Sequence, residues 1–197
     1  MSDPLAPIDD AATELSDEEK EELIPTYIIT RDDLNEAEQE NVLEAQIWAF
    51  SRKRGDILDA RFLDRLHERM YGNVWRWAGT HRKSFKGIGD VEAYQIPTEL
   101  QTLLDNVHYW IENKTYPPDE IVTRFHHRLT LIHCYPNGNG RHARLAADLL
   151  LKELGQVPFS WGSANLVNAG ETRNQYIAAL QAADKHDIGP LLAFVRT

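Results

Sequence analysis

The twelve residues His133-Cys-Tyr-Pro-Asn-Gly-Asn-Gly-Arg-His-Ala-Arg144 decide how this chain is read. Gly138 and Gly140, on either side of Asn139, reach backbone conformations closed to bulkier residues, so successive N–H groups can turn inward as a concave anion nest. The run from Arg141 to Leu154 has the pattern of a helix, whose free N-terminal N–H groups face the same site. Its first turn holds Arg141, His142 and Arg144, although helices favour acids there because cations oppose the macrodipole. Arg141 and Arg144 are also i,i+3 neighbours that repel each other. A broken local rule points to function, and a bound polyanion such as a nucleotide di- or triphosphate is the simplest compensation. His133 stands at the other lip of the loop, and an ordinary pKa of about 6.5 suits it to accept a proton near neutral pH.

Upstream, Asp119–Ile132 reads as a helix with Ile121, Val122, Phe125, Leu129 and Ile132 facing inward, broken off from what precedes it by Pro117-Pro118. It delivers His133 to the loop, so that the base and the anion cradle both sit on rigid supports. Other helices are expected over Asp59–Tyr71, with Phe62, Leu63, Leu66 and Met70 on one face, and over Thr98–Asn113, capped by Thr98 with Gln101. An earlier one is capped by Asn35 with Glu38 and carries Leu43, Ile47 and Phe50 as a core stripe. Two more lie near Glu171–Ala183 and from Asp187 on. Between Gly72 and Pro97 no helical period survives, and Gly87-Ile-Gly-Asp90 predicts a short hairpin.

A chain of 197 residues with 42% hydrophobic and 26% charged residues fits one globular domain. It has no apolar run of about 18 residues, so no membrane span is expected. The single cysteine, Cys134, leaves no intrachain disulfide and fits a reducing cytoplasm. Most of the net charge of −10 sits in residues 1–22, and an acidic chain argues against direct nucleic-acid binding. Within that segment Ser16-Asp-Glu-Glu19 is a capping box that predicts a short helix from Ser16 to Leu23. A metal centre among His126, His127, His133, Cys134 and His142 is disfavoured, because no pair has His-x-x-x-His or Cys-x-x-Cys spacing. No Gly-Lys-Ser/Thr follows the glycines, which excludes a P-loop.

The stretch His133–Arg144 resembles the signature of the Fic/Doc family: His, any residue, aromatic, any residue, acid, Gly, Asn, Gly, Arg, two residues, Arg. Tyr71–Gly79, Phe85–Pro97 and Asn174–Leu180 carry the likeness further, closest to the mobile mystery protein B subgroup. The resemblance implies a single mainly α-helical Fic-type domain over 24–197 with a small β-hairpin flap, Phe85–Pro97, that docks a target protein by strand addition. Residues 1–23 would be a separate acidic segment, with a short helix whose Glu18, Glu19, Glu21 or Glu22 could inhibit through Arg144. The implied activity is transfer of AMP from ATP to a Ser, Thr or Tyr hydroxyl. His133 would be the base, Gly138, Asn139 and Gly140 the phosphate nest, and Arg141 and Arg144 the grip on the β and γ phosphates. In the family the acid binds Mg²⁺, whereas this chain has Asn137, so the metal is expected to bind weakly. The resemblance also implies a helix-turn-helix, antitoxin-like partner. Transfer of another group (UMP, phosphate, phosphocholine) and nucleotide binding without transfer stay open.

Overall fold

The computed structural model describes residues 14–51, 56–89, 91–163 and 169–197. Eight α-helices appear among them: α1 (Asp17–Lys20), α2 (Arg31–Ser51), α3 (Ala60–Tyr71), α4 (Ile96–Glu112), α5 (Pro118–Ile132), α6 (Asn139–Glu153), α7 (Ala169–Asp184) and α8 (Gly189–Phe194). At the centre α5 packs along α6, with α4 on α5, α2 on α3, and α7 paired with α8. Phe62, Leu63, Leu66 and Met70 of α3 are buried against Phe125, Leu129 and Ile132 of α5 and the alanine-leucine face of α6 in one continuous core. Pro118 opens α5 at a position where its missing N–H costs nothing.

Local chemistry moved several expected boundaries. Helix α2 starts at Arg31, because Thr30 and Asp33 cap each other: the Ile29 and Thr30 N–H groups donate to Asp33 Oδ2 at 3.0 and 2.8 Å, and Asp33 N–H donates to Thr30 Oγ1. Glu38 is therefore not a cap but a buried acid, 7% exposed. The expected stripe of Leu43 and Ile47 is turned outward, 56% and 65% exposed, while Leu34, Glu38, Asn41, Ala45 and Ala49 face in. Small and polar residues fill this face because α2 lies close against α3, where Asn41 Nδ2 donates to the Arg69 carbonyl and Asn41 Oδ1 accepts from Asn73 N–H. Helix α4 begins at Ile96 after a 3-10 turn over Ala93–Gln95, ahead of the expected Thr98 cap.

The capping box at Ser16 forms as read, with Ser16 Oγ and the Glu19 carboxylate each accepting the other residue's N–H. Its helix is one turn, and the chain beyond it pairs Leu23 with Trp75 in a single antiparallel bridge. Glu19 is held by Lys86, and its carbonyl accepts from Trp77 Nε1 at 3.1 Å.

The expected hairpin flap is not a hairpin. Among the described residues there is no β-strand, and the segment from Lys83 to Glu92 is a series of bends; Asp90 lies outside the described residues. Gly87 and Gly89 both have positive φ, 68° and 63°, which reverses the chain without the alternation of a ladder. The carbonyls of Ser84 and Val91 face the Arg82 guanidinium, so a side chain takes acceptors that a hairpin would pair across its strands.

Candidate active site

Helix α5 ends at His133, whose backbone is left-handed (φ 52°, ψ 60°) and whose N–H donates to the Leu129 carbonyl at 3.3 Å. That turn sends the chain straight into the loop before α6. There Asn139 acts as a clasp: its Oδ1 accepts from Tyr135 N–H at 2.9 Å and its Nδ2 donates to the Tyr135 carbonyl at 2.7 Å. Gly138 then caps α6 with φ 78°. A Cβ there would lie 2.5 Å from the ring of Tyr71, so both conformation and space demand glycine. A Cβ on Gly140 would meet nothing within 4 Å. The first intrahelical bond of α6 is His142 N–H to Gly138 O, which leaves the N–H groups of Asn139, Gly140 and Arg141 at the helix mouth.

Replacing Gly138 with alanine is expected to lower stability by about 2–4 kcal/mol, from the left-handed backbone and the overpacked tyrosine. Gly140→Ala should leave the urea midpoint near that of the parent. Equal midpoints for the two variants would show that Tyr71 does not press on the loop.

Beneath the loop lies a cluster of aromatic rings. His67 stacks on Tyr135 with centroids 3.7 Å apart. Gly79 N–H donates to His67 Nδ1 at 3.0 Å, so Nε2 carries the proton and donates to the Asn137 carbonyl, also at 3.0 Å. His142 Nε2 donates to the Leu63 carbonyl, and the Tyr135 hydroxyl donates to Asp64 Oδ1, each at 3.0 Å. Burial pushes His142 down to about 4 and His67 well below its ordinary value. Burial likewise raises the Cys134 thiol to about 12, which removes it as a nucleophile at neutral pH. Burial, and then the nearby Arg82 charge, lower His133 to about 4, so its imidazole is neutral and able to take a proton at pH 7.

The two motif arginines are placed differently. Arg141 donates to Glu38 Oε2 at 2.6 Å and lies 5.0 Å over the Tyr71 ring. Burial alone would weaken its hold on the proton; Tyr71 and Glu38 outweigh that and keep it charged. Arg144 lies 5.4 Å over the Tyr176 ring, whose hydroxyl meets His126 Nε2 at 2.9 Å. Among the described residues, then, Glu38 pairs with a motif arginine, and that arginine is Arg141. Asn137 turns its Oδ1 to Gly138 N–H at 2.6 Å. The loop therefore offers a magnesium ion one neutral oxygen, already shared, and no carboxylate, a donor set that does not make a resident Mg²⁺ site.

The geometry agrees with what comparison with known proteins finds. The sequence profile of the Fic/DOC family matches residues 57–151. Through these residues the chain is similar to the Fic/DOC family. The protein adenylyltransferase Fic of Aedes aegypti is 26% identical over 146 residues, 72% of this chain and 28% of its own length. That of Caenorhabditis elegans, fic-1, is 29% identical over 134 residues, 66% of this chain and 25% of its own length. This chain thus spans about a quarter of the length of the curated relatives it matches. The crystal structure of the BepC protein of Bartonella tribocorum with bound AMPPNP superposes with a TM-score of 0.69 at 18% identity, covering 92% of this chain and 97% of that one. Fic-1 of C. elegans superposes at 0.64 with 24% identity, covering 91% and 52%. These likenesses establish a shared helical Fic fold.

Around this loop the sequence reading missed Glu38, His67, Tyr71 and Arg82 as parts of the site. Glu38 looked like a cap, and His67 and Tyr71 looked like helix residues of α3. Arg82 sits between the two stretches that carry the family likeness, and neither of them includes it.

Proposed function

We propose that the chain transfers AMP from ATP to a Ser, Thr or Tyr hydroxyl of a target protein. The observation that carries this reading is a buried His133 at the left-handed end of α5, followed directly by the loop in which Gly138 caps the N-terminus of α6. Phosphates at the mouth of α6 would meet the N–H groups of residues 139–141 and the charge of Arg144. His133 would remove the hydroxyl proton as the oxygen bonds to the α-phosphorus. The bond between the α-phosphorus and its bridging oxygen then breaks, and pyrophosphate leaves with that oxygen. Target docking falls to the segment after Arg82, where Phe85 in the bends and Tyr94 in the 3-10 turn that follows are 48% and 81% exposed. Mg²⁺ would arrive on the nucleotide phosphates, since the loop holds no carboxylate for it. A helix-turn-helix partner, which rests on the family resemblance, and a cytoplasmic setting, which rests on the single cysteine Cys134, complete the reading.

The test is label transfer from α-³²P-ATP to proteins of a bacterial lysate at high Mg²⁺, with unlabelled GTP, CTP or UTP as competitors. Bands that survive those competitors and vanish with unlabelled ATP establish AMP transfer; bands erased by UTP alone would reassign the nucleotide. Asn137→Asp is expected to lower the Mg²⁺ concentration giving half-maximal labelling. An unchanged magnesium titration would remove residue 137 from the metal's surroundings.

A second reading, nucleotide binding without transfer, draws on Glu38, which occupies Arg141, and on the amide at position 137. ATP binding with no labelled band would favour it.

A further inference from the structure

Arg82 is 2% exposed, and among the described residues its guanidinium donates to four backbone carbonyls. Nε meets the His133 oxygen at 2.7 Å, Nη1 the Ser84 oxygen at 2.7 Å, and Nη2 the Val91 oxygen at 2.6 Å and the Ile132 oxygen at 3.3 Å. Its own N–H donates to the Cys134 carbonyl at 2.9 Å. Ile132, His133 and Cys134 are the residues where α5 ends, so their carbonyls have no helical N–H ahead of them and carry the negative end of the helix dipole. A buried cation is thereby balanced by oriented dipoles. On the far side, the same fork holds the backbone that leads to the exposed Phe85 and Tyr94.

We infer that Arg82 is the positioning residue of this site: one guanidinium fastens the backbone of His133 to the backbone at Ser84 and Val91, so that base and target-facing segment keep a fixed spacing. The chemistry requires arginine in particular. Four acceptors lie around a planar fork, whereas a lysine brings three donors on a single nitrogen and cannot span carbonyls on both sides. The left-handed backbone of His133 is a conformation that a non-glycine residue holds only when its surroundings impose it. Gly89 reinforces the junction, since its Cα lies so close to α5 that an added Cβ would come within 2.6 Å of the Leu131 carbonyl.

The inference rests on the transferase reading only in giving His133 the task of a base, and the experiment separates the two. Two variants are made in the full chain: Arg82→Lys, which keeps the charge and loses the fork, and Arg82→Leu, which loses both. The imidazole of His133 is followed by its ¹³C–¹H NMR signal, assigned by its loss in His133→Ala. ATP affinity is measured by calorimetry and label transfer as above. Lys86, the other cation bearing on His133, stays in place throughout. The expected results are a His133 titration midpoint raised by a unit or more in Arg82→Leu, from both the lost charge and looser burial, and a changed His133 chemical shift in Arg82→Lys. Label transfer should drop at least tenfold in Arg82→Lys while ATP affinity stays within about threefold. A lysine variant with the parental His133 signal and parental transfer overturns the inference. If the parent transfers no label, the transferase reading fails alone and the His133 signal still decides the role of Arg82. If the leucine variant does not fold, the lysine variant carries the same decision.

Discussion

Replacing His133 with alanine is expected to reduce label transfer by roughly 10²–10⁴-fold, the usual contribution of a positioned general base. ATP affinity should change little, because the N–H groups of residues 139–141 and Arg144 are untouched. Calorimetry on the variant separates these outcomes, and transfer at the parental rate would take the base role away from His133. The direction of its pKa adds a second signature. A base is active unprotonated, and burial with Arg82 keeps His133 unprotonated down to about pH 4 in the free protein. Acidification from pH 7 to 5.5 should therefore leave its share of activity intact. The negative phosphates of bound ATP stabilise the imidazolium, so the His133 midpoint should rise on nucleotide binding, toward the range where a base works best. An NMR midpoint identical with and without ATP would place the phosphates elsewhere.

Acid is expected to unfold this domain early. Burial is the first cause that lowers four histidines: His126 to about 3, His133 and His142 to about 4, and His67 well below its ordinary value. In the unfolded chain each takes a proton near pH 6.5. Above that pH both states are neutral and the histidines add no pH dependence. Between 6.5 and about 4 only the unfolded chain binds these protons, so stability falls with pH, by on the order of 1.4 kcal/mol per unit for each histidine. From pH 7.5 to 5.5 the melting temperature should drop by on the order of 10 °C for a domain of this size. A melting temperature flat across that interval would mean that these imidazoles are solvated in the folded protein.

Much of the fold was legible from apolar spacing. The inward faces of α3 and α5 are the ones the apolar spacing named, because each buries long aliphatic side chains. Helix α2 misled for the opposite reason: apart from Leu34 its buried face is made of alanines and polar residues, while Leu43 and Ile47 are outside. No hydropathy pattern marks a face chosen for closeness and for a buried Glu38. The expected hairpin failed because the acceptors of the flap face a side chain, Arg82, and a lone arginine between Gly79 and Phe85 reads as a surface charge. At the site, the order of residues placed His133 and the glycine loop together, since they are neighbours in the chain. The ion pair of Arg141 was not legible, because its partner Glu38 is 103 residues away.

The clasp made by Asn139 has a consequence for what can stand between the two glycines. The position needs a side chain that offers one hydrogen and one lone pair at once, to the carbonyl and the N–H of the same residue, Tyr135. An aspartate would set oxygen against oxygen at the carbonyl, and a serine is too short to reach both. The middle letter of Gly-Asn-Gly is therefore fixed by the polarity of the protein's own backbone, and the loop has its shape before any phosphate arrives.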